Sequence, residues 1–252
     1  MKGAEPIFVD KKSKTGVLML HGFTSTPAQF IELANFLSQK GFNVSAPLMA
    51  GHGTNPDDLI KSSPEEWKKS VKEAYLKLKK ISEKIYIIGN SFGSNMGFWL
   101  IDDFNNEQAG IVALGAPIFL RFHRILVFRT YTYGWLRRYY TKPGRIYETD
   151  YIDLNDEVTY PVIPIKSLRD FFRFIKKDTK ISLRKVKVPA LICHAISDKV
   201  VHPKSATYIY ENIKSQFKKI YLFPSDSHTI MSGAHKTDLF LKIHNFIEKA
   251  DF

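Results

Sequence analysis

Short, almost continuous apolar runs alternate along the chain with longer segments whose apolar residues recur at helical spacing. Apolar runs of this length are typical of strands that are buried on both faces, as in a parallel sheet. The pattern predicts six strands, at 16–22, 42–47, 84–89, 110–117, 189–195 and 219–224. Alternation of these strands with helices predicts an α/β protein with a doubly wound, mostly parallel sheet.

The helical segments carry start and stop signals. Thr26 stands where an N-cap is expected, with a proline directly after it, and Gly41 closes the same segment. Ser63 and Glu66 have the spacing of a capping box before a long amphipathic helix. A last helix is predicted over about 237–250.

The alternation stops between about 118 and 182, where aromatic and charged residues replace the apolar runs. It resumes in the strand at 189–195. We therefore predict that residues 1–117 and 183–252 form one α/β core. Residues 118–182, here called the cap segment, are predicted to be an insertion that covers the carboxyl edge of the sheet.

A serine flanked by glycines lies at a predicted strand-to-helix junction. Gly89, Ser91 and Gly93 form the pattern G-x-S-x-G directly after a strand and before a helix-like run, which is the context of a nucleophile elbow. A sharp turn there strains the serine backbone, and side chains in place of the two glycines would collide with neighbouring chain. Ser91 is therefore predicted to be a nucleophile. The alternative is a serine that only caps the helix.

A serine hydroxyl is a poor nucleophile unless a base takes its proton. With an elbow of this type, the expected chain order is serine, acid, histidine, and both partners lie on loops after late strands. Asp198 follows the strand at 189–195, and His228 follows the strand at 219–224. Because these loops and the elbow all leave the carboxyl edge of the sheet, Ser91, Asp198 and His228 are predicted to form a triad.

Other candidates for these roles fit less well. His194 lies within a strand and is predicted to be a satisfied core histidine, whereas His21 and His52, beside glycines, are predicted to organise loops. Asp226 is two residues from His228, which is too close for the usual orienting contact.

Two backbone N–H groups are candidates for an oxyanion hole. A His-Gly pair follows the first parallel strand, and the next residue, Phe23, is predicted to supply one donor. Phe92, directly after the nucleophile, is predicted to supply the other. Each donor of this kind contributes about 2.7–4 kcal/mol to transition-state stabilisation.

Five stretches, HGFTSTPAQF, GHGTNPDDL, GNSFGSNMG, SDKVVHP and SDSHTI, together resemble the α/β-hydrolase superfamily. More narrowly they resemble small bacterial carboxylesterases and monoacylglycerol lipases. The resemblance spans the core and does not reach the cap segment. It implies an α/β-hydrolase fold and cofactor-free hydrolysis of short- to medium-chain carboxylic esters or monoacylglycerols through an acyl-enzyme on Ser91. It also implies that His228 acts as general base and then acid, while Asp198 holds the imidazole in the right tautomer.

Some features keep other substrates open. The elbow has Ser94 where many relatives have glycine or alanine, and its first half resembles that of carbon–carbon bond hydrolases. The aromatic cap segment favours acyl chains of medium length or aryl acyl groups such as cinnamoyl esters. Thioester and carbon–carbon hydrolysis use the same triad. A binding protein on a hydrolase scaffold would typically lack a triad residue, and none is missing here.

The net charge of +12 raises the question of an anionic partner. Lysines on the solvent side of helices account for most of it, and since no nucleic-acid-binding motif is present we predict no nucleic-acid partner. Residues 121–145 carry six arginines among aromatics and no acid, a pattern typical of contact with a lipid surface. The alternative, which we favour, is a self-neutralised cap segment, since 147–158 supplies five acids.

The remaining features predict a cytoplasmic protein without a metal. No apolar run reaches the roughly 18 residues of a membrane-spanning helix, and the N-terminus has no apolar core of signal-peptide length. Cys193 is the single cysteine, which excludes an intramolecular disulfide. No Cys/His cluster has zinc-ligand spacing, so no metal and no cofactor is expected.

Overall fold

The computed structural model describes residues 1, 3–121, 123–132, 137–142, 158–225 and 227–249. The strands of its main sheet are β1 (Ile7–Val9), β2 (Thr15–Leu20), β3 (Asn43–Ala46), β4 (Lys84–Asn90), β5 (Gly110–Leu114), β8 (Ala190–Ala195) and β9 (Lys218–Phe223). They lie in the order β1-β3-β2-β4-β5-β8-β9. In this sheet β1 pairs antiparallel with β3, and all other neighbours are parallel.

The six predicted strands are all present, and β1 is additional. Its three residues, Ile7–Val9, are apolar but only half-buried or exposed, and the run is shorter than the six that predict strands. The predicted parallel arrangement is confirmed. In the register of the central strands, Gly89 lies opposite Leu20 on one side, and the next residue, Asn90, lies opposite Leu114 on the other.

Helices cover both faces of this sheet. They are α1 (Ile31–Gln39), α2 (Pro56–Lys61), α3 (Pro64–Lys79), α4 (Phe92–Asp103), α5 (His123–Thr132), α6 (Ile165–Phe174), α7 (Lys180–Leu183), α8 (Lys204–Asn212) and α9 (Lys236–Lys249), with a 3₁₀ turn before α1 and a π turn between α6 and α7. One apolar cluster packs α1 and α9 on the sheet, and a second packs α3, α4 and α8 on the opposite face. The doubly wound α/β prediction is therefore confirmed. Within the described residues, no helix is long and apolar enough to cross a membrane.

The predicted helix signals hold with one correction. The Ser63 hydroxyl accepts the N–H of Glu66, as a capping box requires, and Gly41 ends its segment with φ of +90°. The predicted capping by the Thr26 hydroxyl is wrong. The chain enters a 3₁₀ turn there, and the N–H of Gln29 bonds to the backbone carbonyl of Thr26 while the hydroxyl caps nothing.

The described part of the cap segment packs on the core. It contains α5, a two-stranded antiparallel ribbon of β6 (Tyr139–Thr141) and β7 (Val162–Pro164), then α6 and α7. Phe171 and Phe174 of α6 are buried in the cluster that covers α4. The boundaries 118–182 stay a prediction, and the acidic residues of 147–157 lie outside the described residues.

Candidate active site

Three loops meet at the carboxyl edge of the sheet. Ser91 directly follows β4, Asp198 follows β8, and His228 follows β9. Since these strands are parallel and close together in the sheet, their carboxyl ends lie side by side. The structure thus brings together three side chains that are far apart in the chain.

Ser91 occupies a strained turn between β4 and α4. Its φ of +50° lies in the left-handed region, which costs a non-glycine residue free energy and is found at functional sites. Its N–H donates to the carbonyl of Leu114 on β5 at 2.7 Å. The turn is therefore fixed against the neighbouring strand, with the serine at its tip.

Close backbone packing requires the glycines on either side of Ser91. A Cβ on Gly93 would lie 1.8 Å from the backbone oxygen of Leu20. A Cβ on Gly89 would lie 2.3 Å from the backbone nitrogen of Ser94. Because both neighbours are backbone atoms, no side-chain movement relieves these contacts, and only glycine allows the elbow to close.

His228 links Ser91 to Asp198. Its Nε2 lies 3.0 Å from Ser91 Oγ, and its Nδ1 lies 2.7 Å from Asp198 Oδ2. An ionised carboxylate only accepts hydrogen bonds, so the proton of the neutral imidazole belongs on Nδ1 and the Nε2 lone pair faces the serine hydroxyl. This arrangement allows the imidazole to take the hydroxyl proton during nucleophilic attack.

Hydrogen bonds hold the fully buried carboxylate of Asp198. Its Oδ1 accepts the N–H groups of Val200 and Val201 at 2.7 and 2.9 Å. Burial acts to raise the pKa of Asp198, but the charge of His228, the hydrogen bond from His228 and the two backbone amides outweigh burial. The pKa therefore lies below its ordinary value, and the carboxylate is ionised at neutral pH.

Phe23 and Phe92, whose N–H groups are predicted to bind an oxyanion, both lie beside Ser91. Phe92 is the first residue of α4. A Cβ on Gly22 would lie 3.5 Å from the Cβ of Ser91, so the loop that leads to Phe23 runs against the serine. The two phenylalanine rings pack edge to face with centroids 5.7 Å apart. Their role in binding an oxyanion stays a prediction.

His21 and His52 form a buried pair next to this loop. The Nε2 of His21 accepts the N–H of Met49 at 3.0 Å, and the two imidazole rings are 5.0 Å apart. Burial lowers the pKa of His21 to about 3 and that of His52 to about 4. Both histidines are therefore neutral at physiological pH, and His21 joins the 21–23 loop to the loop at 49–52.

His194 is buried behind the triad. Its Nε2 lies 3.3 Å from the carbonyl of Val201 and 3.4 Å from Asp198 Oδ2. The sequence places it correctly in the core but does not predict its approach to the carboxylate. Asp226, the other acid considered for the triad, lies outside the described residues.

A mainly apolar cavity of about 440 Å³ opens at Ser91 and His228. Its walls come from the core and from the cap segment, and the apolar ones include Leu120, Ile163, Leu168, Phe171, Val200 and Val201. Cavities of a few hundred Å³ with few polar groups are typical sites for small molecules. No set of three or more His, Cys, Asp or Glu side chains among the described residues is arranged to hold a metal ion.

Two residues of the site are missed by sequence reasoning. Gly115, directly after β5, has φ of +54°, and a Cβ there would lie 3.2 Å from His228 Cε1. The available signal was a glycine at the carboxyl end of a strand. Lys142 of the cap segment lines the cavity, and no periodic pattern in the sequence around it predicts that place.

Known proteins resemble this chain over nearly its whole length. The family model described as serine aminopeptidase, S33, matches residues 11–234. A carboxylesterase of Bacillus subtilis (strain 168) is 26% identical over 246 residues, 97% of each chain. A thermostable monoacylglycerol lipase of Bacillus sp. (strain H-257) is 30% identical over 228 residues, 90% of this chain and 88% of the relative. A solved structure from work on the metagenome-derived lipolytic enzymes LipS and LipT has a TM-score of 0.89 at 26% identity and covers 99% of both chains.

These matches confirm the resemblance to α/β hydrolases and to small bacterial carboxylesterases and monoacylglycerol lipases. The family match includes residues on both sides of the cap segment, and the sheet and helices have the order of that fold. The chain therefore belongs to the S33 serine aminopeptidase family of the α/β hydrolases, and it is a serine ester hydrolase.

Proposed function

We propose that this hydrolase acts on short- to medium-chain carboxylic esters, monoacylglycerols among them, through an acyl-enzyme on Ser91. The observation that carries the proposal is the hydrogen-bonded chain from Asp198 through His228 to Ser91, with distances of 2.7 and 3.0 Å, at the mouth of an apolar cavity.

In the proposed reaction, Ser91 Oγ attacks the ester carbonyl carbon while His228 Nε2 takes the hydroxyl proton. Negative charge moves to the carbonyl oxygen, which binds the N–H groups of Phe23 and Phe92. The bond to the alcohol oxygen then breaks, and His228 gives its proton to that oxygen. Water, deprotonated by the same imidazole, attacks the acyl-enzyme and restores the Ser91 hydroxyl. Asp198 keeps the imidazole oriented and stabilises its charged form.

The proposed substrate class rests on the cavity and on the relatives. Apolar walls around about 440 Å³ suit an acyl chain of limited length. The two Bacillus relatives are named as a carboxylesterase and as a monoacylglycerol lipase. Both observations favour hydrolysis of simple esters over the thioester and carbon–carbon alternatives.

Hydrolysis of p-nitrophenyl esters from acetate to palmitate, together with release of glycerol from monoacylglycerols, tests the proposal. We expect an optimum at short or medium chain length. Ser91→Ala should lower kcat by a factor of at least about 10⁴, whereas Ser197→Ala, at an exposed serine next to Asp198, should not change it. A fluorophosphonate should label Ser91 alone. Turnover of a vinylogous diketone without turnover of esters would contradict the proposal.

Transient contact with a lipid surface is a further part of this proposal. The described part of α5 exposes Phe128 and Tyr131, two aromatics of the arginine-rich stretch. Co-sedimentation with vesicles at low salt tests it. Retention on anionic but not on zwitterionic vesicles would support such contact, and no retention on either would remove it.

A further inference from the structure

The loop that carries the predicted oxyanion donor Phe23 is strained at the next residue. Thr24 has φ of +63°, and for a β-branched residue the left-handed region is a true outlier. Such a conformation persists only where the surroundings hold it in place. The neighbours of Thr24 therefore determine whether the loop keeps its shape.

Lys142 of the cap segment binds one hydroxyl on this loop and one hydroxyl of the cap segment beside it. Its Nζ donates to Thr24 Oγ1 at 2.8 Å and to Thr159 Oγ1 at 2.7 Å. Each hydroxyl then donates to a backbone carbonyl of the loop. Thr24 Oγ1 donates to the carbonyl of Phe23 at 2.6 Å, and Thr159 Oγ1 donates to the carbonyl of Thr24 at 3.1 Å. One amine thus reaches the two carbonyls on either side of the strained residue.

Further contacts from the cap segment reinforce this arrangement. The N–H of Tyr160 donates to the carbonyl of Thr24 at 2.9 Å. Ser25 forms a β-bridge with Thr159. Both of these contacts join the 23–25 loop of the core to the cap segment, so the loop and the cap segment hold each other in register.

We propose that Lys142 is a positioning residue for the oxyanion hole: through the hydroxyls of Thr24 and Thr159 it holds the 23–25 loop in the conformation that keeps the Phe23 N–H beside Ser91. This inference rests on the proposed function. Lys142 acts through the loop and does not take part in the proton transfers.

The chemistry of Lys142 suits this role. Burial lowers its pKa to about 7. A primary amine offers two N–H groups even when it is neutral, so it satisfies both hydroxyls in either protonation state. Lys142 also lines the cavity, which raises one competing role, direct binding of the substrate. The two roles differ in what they change, because lost positioning lowers kcat whereas lost substrate binding raises KM.

The test compares Lys142→Met, which keeps the length of the side chain and loses the donors, with Lys142→Arg, which keeps donors. Lys176→Met, at an exposed lysine of the cap segment, is the matched control. The measurements are kcat and KM on a p-nitrophenyl ester, and the dissociation constant of an alkyl trifluoromethyl ketone, whose adduct with a serine places an oxyanion in the hole.

We expect Lys142→Met to lower kcat by about 10- to 100-fold, less than complete loss of an oxyanion donor, with KM within about threefold. The trifluoromethyl ketone should bind more weakly by the same factor. Lys142→Arg should recover most of both losses, and Lys176→Met should match the wild type. A raised KM with unchanged kcat, or unchanged ketone affinity in Lys142→Met, would overturn the inference.

A second pair of variants guards against misfolding. Thr159→Val removes the hydroxyl that links Lys142 to the loop, and Thr159→Ser keeps it. We expect Thr159→Val to bind the ketone more weakly than the wild type and Thr159→Ser to bind it nearly as well. Binding of the ketone can be measured by calorimetry without turnover. The role of Lys142 is therefore tested even if the wild type hydrolyses none of the esters tried. That outcome would count against the proposed substrates alone, whereas a wild type that binds no ketone would overturn both proposals.

Discussion

His194 Nε2 lies 3.4 Å from Asp198 Oδ2, the same oxygen that accepts the hydrogen bond of His228 at 2.7 Å. The carboxylate therefore has one histidine towards the cavity and another behind it. Burial lowers the pKa of His194, so the imidazole behind the carboxylate is neutral, and its Nε2 hydrogen bond goes to the carbonyl of Val201.

This arrangement predicts unequal effects of two substitutions. Asp198→Asn should lower kcat by about 10⁴, because an amide does not enforce the tautomer of His228 that leaves Nε2 free to accept a proton. His194→Gln should lower kcat by less than about tenfold, since it changes a neutral neighbour of a carboxylate that keeps its two backbone amides and its bond to His228. Steady-state kinetics on one ester measures both. Equal losses would mean that His194 belongs to the proton-transfer chain.

The glycine at the end of the elbow predicts a large effect on stability. Gly93→Ala should destabilise the fold by more than about 3 kcal/mol, because its Cβ would overlap the backbone of Leu20. Gly233→Ala is the control, since nothing lies within 4 Å of a Cβ there, and it should change the free energy of unfolding by less than about 0.5 kcal/mol. Urea unfolding measures both, and a stable Gly93→Ala would contradict the packing at the elbow.

Acid should destabilise the protein through His21 and His52. Their pKa values in the fold, about 3 and about 4, lie below the ordinary 6.5, so the unfolded chain binds more protons between these limits. The stability that these neutral histidines contribute is fully present above pH 6.5, and it is lost as pH falls towards their pKa values in the fold. Each histidine adds a limiting slope of about 1.4 kcal/mol per pH unit. Urea unfolding at pH values between about 7.5 and 4.5 gives the free energy of unfolding as a function of pH. This free energy should fall less steeply with pH in His52→Gln than in the wild type, and equal pH dependence would contradict the prediction.

The cavity wall predicts a change in chain-length preference. Ile163 lines the cavity, whereas Ile181, also in the cap segment, is exposed. Ile163→Trp should occupy volume next to the acyl group and move the optimum towards shorter p-nitrophenyl esters, with acetate hydrolysis retained. Ile181→Trp should leave the profile unchanged. An unaltered optimum in Ile163→Trp would place the acyl chain elsewhere.

The sequence predicts that the three triad candidates meet because each lies at the end of a predicted strand or on the loop that follows it. Apolar runs mark β4, β8 and β9, and in a parallel sheet their carboxyl ends must converge. The positive φ of Ser91 also follows from the pattern, since a tight strand-to-helix turn demands it.

The features that the sequence does not predict depend on contacts between segments that are distant in the chain. The ribbon of β6 and β7 pairs Tyr139 with Pro164, and each strand has three residues, too few to show an alternation. Thr26 has the right residue type for a cap, but the 3₁₀ turn bonds its carbonyl instead. Lys142 is one cation among many in its stretch, and its contacts with Thr24 and Thr159, which the sequence does not show, distinguish it.

β5 and β8 are hydrogen-bonded neighbours although the whole cap segment lies between them in the chain. Because the sheet is continuous across this junction, the segment between the two strands can change without altering the strand order, and its exchange alone would give such a protein new substrate ranges. The tie between Lys142 and Thr24 narrows that freedom. On the proposed role of Lys142, a foreign segment at this place would bring a new pocket and leave the 23–25 loop unsupported, so the exchange would lower the catalytic rate unless the loop changed with it.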